Sequence, residues 1–128
     1  MLKIKTEIKN SPIHGIGLFA LQDVAKGELI WELNTQFDKL FSPDNLAELP
    51  ELTQNYITHY SYFDKTLNLI VLCSDNARFF NRSENSNCGG EQHDKTIALR
   101  DIKEGEELTE IYYNLKEIES QKLGSISI

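Results

Sequence analysis

Cysteine is scarce in this sequence, with Cys73 and Cys88 the only two. A single pair cannot form the disulfide framework of a small secreted domain, so both are expected as reduced thiols. No CxxC pair is present, which leaves a zinc site built from Cys73, Cys88 and His93 with little support. Basic residues are also few: 13 Lys and Arg against 20 Asp and Glu give a net charge of −7. Without a basic stripe to neutralise phosphates, nucleic acid is not expected as a direct partner. The same charge is compatible with a basic protein or peptide partner. No apolar run approaches the ~20 residues needed to cross a bilayer. The N-terminal "MLKIKTEIKN" alternates as a strand does and has no signal-peptide core. No membrane association and a cytoplasmic location are therefore the expectations.

Repeats and low-complexity segments are absent, and 128 residues suit one domain burying roughly two-thirds of its unfolded surface. The first 33 residues read as short strands between glycine turns: "KIKTEIK", "GIGLFAL" and "GELIWEL". The one convincing helical region is "SPDNLAELPELTQNYITHY", with Ser42 as N-cap, Pro43 at the first helical position and a division at Pro50. "TLNLIVLCS" and "KTIALRDI" read as further strands, and the Lys103–Glu106 turn leads into a last one, "ELTEIYY". The tail "NLKEIESQKLGSISI" has weak helical periodicity. The expected fold class is mainly β with a short helical insertion.

Three stretches carry candidate chemistry. In "HGIGLFA", Gly15 and Gly17 surround one residue just before an apolar strand, spacing that permits positive φ and close backbone approach. In "ARFFNRSENSNC", Asn81, Asn85 and Asn87 crowd into seven residues with Ser83 and Ser86 between them. Amides at that density tie down their own backbone or grip a polar ligand. Asn81, directly after Phe79 and Phe80, can offer two donors and an acceptor at the rim of the core. In "RDIKEGEELTEIYY", a turn feeds a strand ending at Tyr112 and Tyr113.

The order and spacing of these stretches resemble the SET domain, the lysine methyltransferase fold. "GIGLFA" is similar to its first motif and "ARFFNRSENSNC" to its central Arg-Phe-x-Asn-His-Ser motif. "RDIKEGEELTEIYY" is similar to its last, in which Glu-Glu-Leu-Thr precedes the active-site tyrosine. The resemblance covers about residues 4–113 and leaves 114–128 as a tail, within one SET domain spanning 1–128. It looks closest to the small stand-alone SET proteins of bacteria and viruses, and it admits a homodimer.

What the resemblance implies is a β-clip of small sheets whose last strand threads the asparagine loop in a C-terminal pseudoknot. It also implies an S-adenosyl-L-methionine cofactor and a lysine-containing basic protein or peptide as substrate. Asn81 maps to the cofactor-binding asparagine and Arg82 to the residue whose backbone meets the adenine. Ile13, His14, Gly15, Ile16 and Gly17 supply backbone contacts, and Arg78 and Phe80 fall in the same cofactor site. Tyr112 maps to the active-site tyrosine. Tyr60, Tyr62, Phe63, Glu110 and Tyr113 are candidates for the substrate channel, although the Glu110 carboxylate is expected to point to solvent. His14, His59 and His93 are expected as surface or capping residues. Arg82 stands where the motif usually has histidine, Ser86 where it has proline, and Glu84 where many larger members carry a zinc-binding cysteine. Two other readings stay open: a catalytically weak or inactive SET-like module binding cofactor or basic peptide, and a structural domain with an empty pocket.

Overall fold

The glycine-bounded apolar runs near the N-terminus become the strands expected of them. The structure, a computed structural model, describes residues 1–111. β1 (Thr6–Asn10) and β2 (Ile16–Ala20) form an antiparallel hairpin with Lys9 opposite Gly17 and Thr6 opposite Ala20. Ser11 N donates to Gly15 O at 2.8 Å to close it, and Gly15 adopts a φ of +46° at the turn. An L side chain is disfavoured there, which accounts for the first glycine. β3 (Leu29–Glu32) follows, then β4 (Lys39–Phe41).

The helical insertion is divided as the prolines require. Ser42 Oγ accepts from Asn45 N at 3.1 Å at the N-cap of α1 (Pro43–Ala47), and Pro50 precedes α2 (Glu51–Tyr60). A hydroxyl at this position satisfies one orphan amide of the first turn. β5 (Tyr62–Asp64) and β6 (Leu69–Leu72) then join β4 in a three-stranded antiparallel sheet, order β4-β6-β5. The strand expected in "TLNLIVLCS" is thus confined to four residues, because the chain turns through Asn68 at positive φ before it.

A 3-10 turn at Asn76–Phe79 leads into β7 (Asn81–Arg82), β8 (Cys88–Gly89), β9 (Lys95–Ala98) and β10 (Glu107–Glu110). With β1, β2 and β3 these make a seven-stranded sheet in the order β1-β2-β10-β8-β9-β3, with β7 paired to β10. β10 runs parallel to both β7 and β8, with Thr109 opposite Asn81 and Glu110 opposite both Arg82 and Cys88. The asparagine loop therefore straddles the last described strand.

Two apolar clusters support these sheets. The larger gathers Leu18, Ile30, Cys88, Ala98, Ile102 and Leu108; the smaller packs Leu46, Ile57, Ile70 and Leu72 beneath the helices, with Phe41 and Phe63 against them. Cys73 and Cys88 are both free and buried. Burial pushes the Cys88 thiol up to about 12, so it packs as a small apolar group.

Within the loop, buried Asn87 does the fastening. Its Nδ2 donates to Glu107 O at 2.8 Å, and its Oδ1 accepts from Thr109 N at 2.9 Å, so one amide serves both polar directions of β10. Its own backbone N donates to Thr109 Oγ1. Replacing Asn87 with alanine strands a buried carbonyl and a buried amide together, at about 1–3 kcal/mol for each unsatisfied group. Asn87→Ala is expected to lower unfolding free energy in urea by about 2–4 kcal/mol, whereas Asn85→Ala, at an exposed position, changes it by less than about 0.5 kcal/mol.

Candidate functional site

Side chains on β10 alternate between two faces, and a different cavity lies on each side. Glu107 and Thr109 face the asparagine loop, while Glu110 shares the face of core residue Leu108. On the Glu107 side lies an open groove of about 550 Å³, lined by Ile13, His14, Gly15, Ile16, Phe80, Asn81 and Arg82 among others. That volume falls in the roughly 300–1,000 Å³ range of small-molecule sites.

Asn81 holds this groove together. Its Nδ2 donates to Glu107 Oε2 at 2.8 Å, His14 O at 3.0 Å and Ile16 O at 3.4 Å. The glycine turn is thereby tied to β10 by one amide. Ser11 Oγ donates to Glu107 as well, at 2.8 Å to Oε1, and accepts from Ile13 N at 2.9 Å. Gly17 is needed beneath this network: a Cβ there would stand 2.9 Å from the Glu107 carboxyl carbon. With the Asn81 donors occupied, its Oδ1 remains as an acceptor that no donor among the described residues reaches. Arg82 pairs with Glu84 at 3.5 Å on the rim, which offsets the cation beside the groove.

The second cavity, about 240 Å³, lies on the Glu110 side and is lined by Trp31, Ser61, Tyr62, His93 and Thr96 with Glu110 itself. Tyr60, Arg78 and Phe80 line both cavities and form a shared wall. Tyr60 ends α2 and packs its ring on Phe79 at 5.5 Å, and Arg78 Nε donates to Cys73 O at 3.1 Å. The wall is thus braced from the helical insertion and from the 3-10 turn.

Three sequence expectations change here. Glu110 does not point to solvent: it lines the cavity, and its Oε1 accepts from Thr96 Oγ1 at 2.6 Å. Burial raises its carboxyl above the ordinary range, with the Thr96 hydroxyl pulling the other way. Phe63 does not reach the cavity. Adjacent strand residues face opposite ways, so Tyr62 enters it and stacks edge-on against Trp31 at 6.3 Å while Phe63 joins the smaller apolar cluster. Gly17 lies buried under the groove rather than on its wall. Tyr112 and Tyr113 lie outside the described residues.

The histidines are less uniform than expected. His14 and His59 are exposed, with ring centroids 6.1 Å apart at the groove. His93 is an outer residue too, but its Nδ1 lies 2.8 Å from Oδ2 of buried Asp64, whose Oδ1 accepts from the amides of Thr66 and Leu67. Sequence reasoning missed Trp31, Ser61, His93 and Thr96 as cavity residues, Asp64 as the partner of His93, and Glu107 as the groove's brace. Only Glu107 carried a signal, its place in the Glu-Glu-Leu-Thr stretch. Among the described residues, no group of three or more His, Cys, Asp or Glu side chains could hold a metal ion.

The Asp64 hydrogen bond raises the His93 pKa above the ordinary imidazole range. A raised folded-state pKa means that the contribution is fully present below the unfolded imidazole value and is lost as pH rises through the folded one. The stability difference between wild type and His93→Ala should therefore be largest in mildly acidic buffer and shrink toward alkaline pH. Urea midpoints measured across that range check it, and a difference independent of pH would contradict the pairing.

Comparison with known proteins agrees with this fold. No curated protein matches the chain. Among solved structures, the Chaetomium thermophilum polycomb repressive complex 2 matches with a TM-score of 0.65 and 22% identity over 88% of this chain and 16% of that one. A structure described as ctPRC2 in an autoinhibited conformation bound to S-adenosylmethionine matches with 0.65 and 22% over 94% of this chain and 17% of that one. An active polycomb repressive complex 2 in the basal state gives 0.66 and 23% over 87% and 15%. The chain spans about a sixth of the length of these chains, and the likeness is one of fold. The SET domain family matches residues 15–113, from the glycine turn through the final motif. With its three motifs folded around a strand that the asparagine loop straddles, this chain belongs to the SET domain family.

Proposed function

We propose that the chain is an S-adenosylmethionine-dependent protein-lysine N-methyltransferase acting on a basic protein or peptide. The observation that carries the reading is the shared wall. An open groove suited to a small molecule and a narrower cavity with an acidic side chain abut across Tyr60, Arg78 and Phe80. Transfer between two bound molecules needs that back-to-back placement, because an in-line displacement fixes donor and acceptor on opposite sides of the moving group.

The groove's donor set fits the cofactor. The turn at residues 13–16 presents exposed backbone, Asn81 Oδ1 is an acceptor for an ammonium, and the carboxylates of Glu84 and Glu107 lie nearby for a cationic ligand. When bound, S-adenosylmethionine supplies an electrophilic methyl carbon on a sulfonium. The chain's own part is to align, desolvate and deliver a neutral amine. A free lysine has a pKa near 10.4, so the neutral form costs about 4 kcal/mol at pH 7. Aromatic walls at Tyr60, Tyr62 and Phe80 accommodate the alkyl stem and favour the neutral amine by excluding water. Tyr112, carried over from the family's last motif, orients the amine through its hydroxyl.

Incubation with cofactor labelled on its methyl group and a whole-cell lysate tests the activity, and it separates an enzyme from a module that only binds. Label is expected on lysine of one or a few proteins; none in any fraction would reject the reading. Tyr112→Phe should lose most of the turnover while cofactor affinity stays within about threefold, the signature of a group acting in the chemical step. Asn81→Ala should weaken cofactor binding in titration calorimetry by about 1–3 kcal/mol. Equal affinity would remove Asn81 from the cofactor site.

A further inference from the structure

We infer that Glu110 is the anionic anchor of the 240 Å³ cavity, receiving the substrate's primary ammonium and accepting one of its protons. The identity of the amine rests on the lysine reading above; the location rests on the chain's own polar groups. Glu110 lines the cavity with Oε1 held by Thr96 at 2.6 Å, and no donor among the described residues reaches Oε2. Ser61 Oγ, Tyr62 OH and Trp31 Nε1 lie on the same cavity and are buried without a hydrogen-bond partner among the described residues. Buried polar atoms without partners are rare, and three on one cavity beside a half-satisfied carboxylate mark the place of a polar ligand.

The sign of that ligand follows from the surrounding charges. From β9, Lys95 also lines the cavity, but its Nζ lies 3.9 Å from Glu32 Oε2. From the 3-10 turn, Arg78 is directed to Cys73 O and the Tyr56 hydroxyl. His93, in the loop before β9, is engaged by Asp64. From β5, β6 and β8 come Tyr62, Cys73 and Cys88, all kept protonated and neutral, chiefly by burial. Among the described residues, no cation is thus directed at Glu110. An ammonium supplies the missing charge and can donate to the carboxylate, Tyr62 OH and Ser61 Oγ together. Trp31 has only a donor and is not assigned to the amine.

The proton step balances within the cavity. One N–H bond of the ammonium breaks, the proton moves to Glu110 Oε2, and the nitrogen keeps the electron pair of that bond, leaving a neutral amine beside a neutral carboxylic acid. The resulting carboxylic acid returns its proton to water after transfer. Burial acts on both partners in the same direction, raising the carboxyl and lowering the amine, which brings their proton affinities together.

Two measurements on the full chain test this independently of each other. NMR titration with n-butylammonium should show binding at the Tyr62 and Thr96 resonances of wild type, at least tenfold weaker in Glu110→Gln. Equal affinity in wild type and Glu110→Gln overturns the anchor. In methyl transfer to lysate protein, Glu110→Gln should lose about 100-fold or more in rate at pH 7 and recover toward alkaline pH, where the amine loses its proton unaided. Unchanged rates with an unchanged pH profile overturn the proton-accepting role. Should wild type bind n-butylammonium through Glu110 yet transfer no methyl group, the anchor stands and the methyltransferase reading falls.

Discussion

The two sites exist because one strand is pinned by one side-chain amide. Asn87 bonds Glu107 O and Thr109 N of β10 from a buried position. That leaves β10 between β7 and β8, with no room for a register shift that would exchange its faces. Once the register is fixed, Glu107 must stand on the groove side and Glu110 on the cavity side. The bonds of Glu107 to Ser11 and Asn81, and that of Glu110 to Thr96, follow from that partition.

The partition gives two carboxylates on one short strand different work. Glu107 is a structural acceptor, bonded by Ser11 and Asn81, and its charge organises the glycine turn from which a ligand's contacts would come. Glu110 meets one hydroxyl and a cavity instead. Removing Asn87 would therefore affect more than stability, since it would loosen the element that positions both. The asparagine loop ties itself down with one amide and shapes the open groove with another; Asn87 and Asn81 divide the two tasks.

Much of the strand order was legible because the glycine turns, the Ser42-Pro43 cap and the Pro50 break act locally, within a few residues of themselves. The meeting of the glycine turn with Asn81 was legible only through the resemblance of "GIGLFA" and "ARFFNRSENSNC" to the SET motifs. The cavity was not. Its residues come from β3, β5, the 91–94 loop and β9, and neither Trp31, Ser61 nor Thr96 belongs to a pattern that reports a tertiary meeting point. Glu110 was misread for a similar reason: a carboxylate near a strand end ordinarily faces water, and only the pairing of β10 with buried β8 turns it inward. Phe63 and Tyr62 could not be assigned to faces until the partner strand β6 fixed which of them looked toward the smaller cluster.

The central claim is that groove and cavity are the two halves of one transfer site, meeting at the wall of Tyr60, Arg78 and Phe80. A crystal structure of the full chain with S-adenosylhomocysteine tests it most directly. The account predicts the ligand in the groove against residues 13–16 and Asn81, its sulfur directed at that wall toward Glu110. A ligand bound elsewhere, or seated in the groove with its sulfur turned away from the wall, would contradict it.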